Sequence, residues 1–515
     1  MSNFLSLIKV QFLSYFGINK ILHPGKKNKT VGMAGALSVV LLFGALFVFM
    51  GYFYGDMFAM SLAMTGEITK LIPLMLGMSS VVAFGFSFYA TSSTIYGFKD
   101  YEIISAMPVK THTVVLSKLV FSYLSDVLFT ILIMAPTLFV YKEYGGVVNG
   151  TLVLYTVIIC IVSPLFPFAL SMIIGALITF ISSRFKRKNL VQIILLVLLM
   201  VAVFSVSFLE DSGIMHKAIE KMYFIFPLCE KAFASISGLL IFSALCLVSA
   251  VLVSAIVCIT YRKMHVLLSA KKKSANFKLK ETKTNTPTKV LINKELKRLF
   301  SAPVYVMNTA MGAFLAVVAG ISFVAVPEFS IMSDIFARLT PAIFAFMFIL
   351  SPTTACALSV EGETFWIIKT MPVSLKKLIN VKLFVNVLLG VLPAFLCSVL
   401  FVIGFSGVSV WCSALVILCS LSISLLGGNL GMIFNILFPM MKWDNINKPV
   451  KQGVALLLTM ACAFILAGLF GAGAIYLKIS TFWLLFIAFT LTLTLNIVIY
   501  ILLMKKGVDI IKQKT

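Results

Sequence analysis

Apolar stretches of eighteen or more residues recur along almost the whole chain, and this pattern limits what it can fold into. Each stretch is long enough for an α-helix to cross the hydrocarbon core of a bilayer. Lipid cannot pair with open backbone groups, so helices are expected throughout. Twelve stretches occur, near residues 31–54, 71–95, 114–140, 151–182, 190–209, 239–261, 303–327, 335–358, 378–404, 410–438, 450–476 and 481–504. The sequence therefore predicts an all-α polytopic membrane protein of about twelve transmembrane helices.

Composition supports the same class. Hydrophobic residues make up 61% of the 515 residues and charged residues only 12%, whereas soluble domains carry about 25% charged residues. The net charge of +24 does not indicate a nucleic-acid partner, because the basic residues lie in short clusters between apolar stretches. The partner that these clusters suit is the anionic surface of a lipid bilayer.

The distribution of lysine and arginine predicts the orientation of the chain. With the amino terminus in the cytoplasm, 35 of the 42 basic residues fall on the cytoplasmic side and seven on the other. The bias holds at every loop. We therefore expect a multi-pass cell-membrane protein with both termini in the cytoplasm.

One segment occurs twice at a fixed offset of 264 residues. The pattern Ile-Ile-x-x-Met-Pro-Val recurs without a gap at 103–109 and at 367–373, and the same offset aligns Lys118 with Lys382. Six spans per half return the chain to its starting side. Both copies are therefore predicted to face the cytoplasm in two parallel six-helix repeats.

Each copy is predicted to form a short helix that a proline ends, because proline disfavours helix in the residue before it. Apolar side chains three or four residues apart share a face of such a helix, and carboxylates suit its first turn. An exposed apolar helix fits a partner's groove, whereas an ordinary interfacial loop would dip the same residues into head groups. The predicted docking residues are Glu102, Ile103, Ile104, Met107 and Pro108 in the first copy, and Glu361, Glu363, Trp366, Ile367, Ile368, Met371 and Pro372 in the second.

The repeat and the charge clusters divide the chain into three parts. Residues 1–261 and 303–515 are predicted to form the two six-helix halves, separated by a basic cytoplasmic linker at 262–302. The linker ends in residues with helical apolar spacing, and the first sixteen residues show the same spacing. Each half is therefore expected to begin with an interfacial amphipathic helix.

Four segments resemble one family. They are K-D-Y-E-x-x-x-x-M-P-V at 99–109, E-G-E-x-F-W-x-I-K-x-M-P-V at 361–373, the loop 438–453 around Lys442-Trp443, and Lys294-Glu295-Leu296. Together they resemble the large two-repeat permease subunits of bacterial ATP-binding-cassette exporters of the type-2 class, as found in low-GC Gram-positive bacteria. The resemblance implies ATP-driven export and an ATPase seated on the segments 99–109 and 361–373. The first copy departs from the pattern because Glu102 stands where the second has Trp366.

No phosphate-loop motif G-x-x-x-x-G-K-[ST] occurs in the sequence, so ATP is expected to bind to a separate ABC-type ATPase subunit, present in two copies. We expect no catalytic residue, cofactor or metal in this chain. The alternative is an ion-coupled secondary transporter of six-plus-six architecture.

Polar residues inside the predicted spans have two interpretations. Asp126, Asn386, Asn429 and Asn435 are candidates for lining a substrate pathway, because burying polar groups in lipid is costly. The alternative is hydrogen bonding between packed helices. Lys118 and Lys382 are expected to snorkel from the cytoplasmic ends of their spans.

Overall fold

The computed structural model describes residues 4–9, 29–94, 108–185, 187–206, 226–269, 286–325, 333–443 and 446–514. Within these ranges the chain is almost entirely helical and contains no β-strand. Ten helical segments in this part of the chain are long and apolar enough to cross a membrane. The chain is therefore an all-α, multi-pass membrane protein, as its apolar stretches predict.

The chain divides into two compact units, the first made of Met1–Lys188 and Ser205–Ser274 and the second of Asn189–Phe204 and Ala275–Thr515. In chain order, the helices up to residue 269 are α1 (Lys29–Thr65), α2 (Leu71–Thr94), α3 (Thr111–Glu143), α4 (Gly150–Val162), α5 (Leu165–Ser183), α6 (Lys188–Val206), α7 (Phe226–Ala234) and α8 (Ile236–Ser269). Most of α6 belongs to the second unit.

The core of the first unit forms where α1, α2, α3 and α8 meet. Phe58, Leu74, Ile133 and Phe242 are buried in one apolar cluster there. Two helices occupy the long apolar run at 151–182: α4 ends at Val162 and α5 begins at Leu165, with Pro164 between them.

The second unit contains the remaining helices. They are α9 (Pro287–Ser301), α10 (Pro303–Ala325), α11 (Ser333–Ile349), α12 (Phe365–Thr370), α13 (Leu375–Gly404), α14 (Val410–Leu437), α15 (Asn447–Lys451), α16 (Val454–Tyr476), α17 (Thr481–Leu502) and α18 (Val508–Lys514). Its core is aromatic where α10, α11 and α13 meet: the ring of Phe401 lies 4.9 Å from that of Phe323 and 5.8 Å from that of Phe344.

Two of the predicted spans are not among these ten candidates. The run 335–358 is α-helical only to Ile349, because Pro352 is extended and short turns of 3-10 helix follow it. The run 190–209 coincides with α6, whose described apolar part ends at Leu199. The described residues thus hold ten candidate spans, and a total of about twelve stays a prediction.

Candidate functional site

A buried segment without α-helix, Ser351–Gly362, connects α11 to the short helix α12. Pro352 is extended, with φ −67° and ψ 150°, and two turns of 3-10 helix follow at Thr353–Ala355 and Ser359–Thr364. Every residue from Ser351 to Gly362 is buried. Irregular backbone among membrane-spanning helices is tolerated only where protein groups satisfy its hydrogen bonds. The neighbours of this segment supply such groups.

Two asparagines on α13 and α14 hold the segment. The side-chain oxygen of Asn386 accepts hydrogen bonds from the Thr353 backbone N–H and hydroxyl, both at 2.9 Å. The side-chain oxygen of Asn435 accepts from the backbone N–H of Leu358 at 2.7 Å and of Ser359 at 3.2 Å. Both amides thus replace bonds that a continuous helix would have made within itself.

The loop after α14 closes over the same segment. The indole Nε1 of Trp443 donates to the Ser359 carbonyl oxygen at 2.7 Å. Its ring lies against Gly362, where a Cβ atom would come within 3.1 Å of three indole atoms. Gly362 also has φ +61° and ψ −145°, a conformation that side chains other than glycine's rarely adopt. The backbone conformation and the contact with Trp443 therefore both favour glycine at position 362.

A cluster of five charged side chains, three of them buried and two half-buried, fixes the segment to α9 and α13. Lys382 is fully buried, and its ammonium nitrogen lies 2.9 Å from Glu295 Oε1, 3.0 Å from Glu361 Oε1 and 2.9 Å from the Ala357 carbonyl oxygen. These three acceptors match the three donors of an ammonium group. The charge of Lys382 is therefore fully compensated inside the protein.

Glu361 is the centre of this cluster. Besides Lys382, its carboxylate contacts the Lys294 ammonium at 3.2 Å and the Arg298 guanidinium. Burial by itself would raise the pKa of Glu361, but the positive charges of Lys382, Arg298 and Lys294 outweigh it and lower the pKa to about 2. Glu361 is therefore ionised at any physiological pH and holds three cations together.

Helix α9 contributes Glu295 to the cluster because this residue lies on the buried face of the helix. Leu291, Glu295 and Leu299 are buried and stand four residues apart, so they occupy one face of the helix. Pro287 at the first position suits a helix start. The amphipathic helix predicted at the end of the linker is present, and its buried face carries a carboxylate between two leucines.

The short helix α12 follows the cluster directly and carries exposed apolar side chains. Trp366 is 64% exposed and Ile367 is 41% exposed. The helix stops at Thr370, because Met371 is extended and Pro372 follows it. The predicted short helix with a proline stop is confirmed for this copy.

The structure separates the predicted docking residues into two groups. Glu363, Trp366, Ile367 and Pro372 are exposed, and Met371 is half-buried. Ile368 was expected on the exposed face but is only 5% exposed and packs in an apolar cluster with Leu378, Ile379 and Leu503. Glu361 was expected at the start of the helix but belongs to the buried charge cluster.

In the first copy only Pro108 is described, and it is exposed. Glu102, Ile103, Ile104 and Met107 lie outside the described residues.

The snorkelling prediction was wrong for both lysines. Lys382 is fully buried among carboxylates, because Glu295 and Glu361 offer it stronger partners than lipid head groups would. Lys118 on α3 is also buried, with its ammonium 5.9 Å from the centre of the Tyr261 ring.

The candidate pathway residues are hydrogen-bonded inside the protein. Asn386 and Asn435 hold the buried segment, and Asn429 donates to Asn496 Oδ1 at 2.9 Å between α14 and α17. Asp126, buried on α3, accepts a hydrogen bond from Ser87 on α2. These contacts correspond to the helix-packing alternative.

Glu295, Arg298 and Trp443 were not predicted as residues of this site. Glu295 and Trp443 stand in segments that resemble the exporter family, but no spacing rule connects residues 295, 361, 382 and 443. A signal was present in Lys382 itself, since a lysine inside an apolar run needs a carboxylate partner unless it reaches water. Glu295 and Glu361 are two of the few carboxylates in this half of the chain.

No protein-family model matches the chain, and no curated protein or solved structure matches it either. The fold defines a multi-pass, all-α membrane protein. Any narrower function has to be argued from the residues of this site.

Proposed function

We propose that this chain is the transmembrane permease subunit of an ATP-driven ABC exporter, and that α12 is a docking helix for a separate ATPase subunit. Two features of α12 together carry the proposal. Trp366 and Ile367 are exposed, and the segment directly before the helix is fixed to α9 and α13 by the charge cluster. Tryptophan is among the residues that contribute most to binding at protein interfaces. An exposed pair of this kind, on a helix of six residues, suits a groove on a partner.

The charge cluster before α12 connects this helix to the membrane-spanning helices. Directly before α12, Glu361 is joined to Lys382 on α13 and to Arg298 on α9. A displacement of α12 by a partner would therefore be passed to the spanning helix α13 and, through α9, to the start of α10. The alternative is an interfacial loop whose apolar side chains dip into the lipid head groups, and such a loop would not need ion pairs to two other helices.

The repeat pattern supports a second docking segment at 99–109, and the charge distribution supports a cytoplasmic position for both. In this proposal two ATPase subunits bind below the membrane, and closure of the ATPase dimer moves the two segments. ATP binds to the partner, and this chain contributes the pathway. The resemblance to type-2 exporter permeases supports export as the direction of transport.

A surface variant tests the docking assignment. The tagged permease is purified from its native membranes, and ATPase subunits that accompany it are identified by mass spectrometry and by their phosphate-loop sequence. The double variant Trp366→Glu/Ile367→Glu should lose the ATPase, because a carboxylate cannot enter an apolar groove without a large desolvation cost. Val266→Glu is the matched control, since Val266 is 61% exposed and lies beyond the end of α8's apolar span.

Retention of the ATPase by the double variant, at wild-type stoichiometry, would contradict the docking role of α12. The secondary-transporter alternative makes a different prediction. In that case no ATPase accompanies the wild-type protein, and transport depends on an ion gradient and on a membrane carboxylate such as Asp126.

A further inference from the structure

A small cavity lies inside the second unit, at the point where α11 ends and the buried segment begins. Its volume is about 20 Å³. Its polar lining consists of Thr309, Ser351, Thr353, Asn386 and Ser424, contributed by α10, the buried segment, α13 and α14. A volume of about 10–15 Å³ on this scale is enough to hold one water molecule.

The hydrogen bonds around the cavity show which groups still need a partner. Asn386 uses its oxygen for Thr353, which fixes the amide orientation and leaves the Nδ2 group on the other side. Asn386 is only 6% exposed, and the hydrogen bonds that hold it to the described residues are made by its oxygen. The Nδ2 group borders the cavity, where a ligand that accepts a hydrogen bond would give this donor a partner.

Gly390 on α13 brings the second polar group close to the first. A Cβ atom at Gly390 would lie 2.8 Å from the Ser424 hydroxyl and 4.0 Å from Asn386 Nδ2. The absence of a side chain at Gly390 therefore leaves a space that both groups border. Gly390 itself also lines the cavity.

We infer that this cavity is a binding site for a single water molecule that joins α13 and α14 to the first residues of the buried segment, Ser351–Thr353. The water accepts a hydrogen bond from Asn386 Nδ2 and donates at most two, one of them to the Ser424 hydroxyl oxygen. A bridging water of this kind is nearly as favourable as a direct hydrogen bond.

The chemistry of the lining selects water over a cation. No carboxylate lines the cavity. The amide of Asn386 presents its N–H groups, the positive end of its dipole, to any ligand. A metal ion would therefore meet a repulsive group and no compensating charge, whereas a neutral molecule that both donates and accepts can pair with the Asn386 N–H groups and with the hydroxyl oxygens of the lining.

The direct test is a cryo-electron microscopy map of the wild-type chain in lipid nanodiscs, at a resolution where ordered waters are visible elsewhere in the helices. We expect one density peak within about 3.2 Å of Asn386 Nδ2 and near Ser424. An empty cavity in such a map would overturn the inference, as would a peak with the short oxygen contacts of a bound cation.

A pair of substitutions tests the same inference through stability. Gly390→Ala combined with Ser424→Ala fills the space and removes the hydroxyl that the new methyl group would otherwise touch. If the cavity holds water, Asn386 loses its partner and Tm should fall by about 2 °C or more. If the cavity is dry, the added methyl group and the better helix propensity of alanine should raise Tm instead.

Discussion

Replacing Glu361 by glutamine removes the charge at the centre of the buried cluster while keeping the size of the side chain. The magnitude follows from the pKa of Glu361, which is about 2 in the folded protein compared with an ordinary value of 4.5. At about 1.4 kcal/mol per pKa unit, this difference corresponds to about 3–4 kcal/mol of stabilisation at neutral pH. Removal of one partner of a buried ion pair costs a similar amount, about 3–5 kcal/mol.

The assay is thermal unfolding of the purified protein in lipid nanodiscs, followed by tryptophan fluorescence. For a unit of this size, a change of 1 kcal/mol shifts Tm by about 2 °C, so Glu361→Gln should lower Tm by about 6 °C. Lys382 would then be left with only one carboxylate, Glu295, for its buried charge.

Glu363→Gln is the matched control, because Glu363 lies two residues away, is exposed and has no part in the cluster. We expect a Tm within about 1 °C of wild type for that variant, as is usual for surface substitutions. Equal Tm values for the Glu361 and Glu363 variants would refute the reasoning that the cluster holds the segment in place.

Three further predictions concern the same segment. Because the pKa of Glu361 is lower in the folded than in the unfolded chain, its contribution is complete above pH about 4.5 and is lost as the pH falls towards 2; acid titration of unfolding should show this loss in wild type and not in Glu361→Gln. Gly362→Ala should lower Tm by several degrees, since the new methyl group meets the Trp443 ring at a strained φ, whereas alanine at the exposed Gly407, also at positive φ but with open space, should lower it less. Asn435→Leu should destabilise by about 2 kcal/mol in chemical unfolding, because two buried backbone N–H groups lose their acceptor; a change below about 0.5 kcal/mol would show that the segment finds other partners.

The sequence predicted the helices well because hydrophobicity and proline act locally. The break at Pro164 and the end of α12 before Pro372 both follow from the missing backbone donor and the ring of proline. The amphipathic α9 followed from its apolar spacing in the same way. These features depend on residues within one or two helical turns of each other.

The predictions failed where burial depends on distant residues. Apolar composition at 350–358 indicates burial but does not distinguish lipid from protein, so a buried irregular segment was read as the end of a span. Ile368 and Trp366 stand two residues apart in the same helix, and only the packing of Leu378 and Leu503 decides which is covered. The partner of Lys382 could not be found by spacing, because Glu295 and Glu361 lie 87 and 21 residues away in sequence.

The most direct measurement is photo-crosslinking from position 366 in living cells. A photoreactive phenylalanine analogue replaces Trp366, and the same analogue at Val266 serves as the control. The account predicts that position 366 forms a covalent adduct with an ATPase that carries a phosphate loop, and that position 266 does not. Crosslinks from position 366 to lipid alone would contradict the claim that α12 is a docking helix.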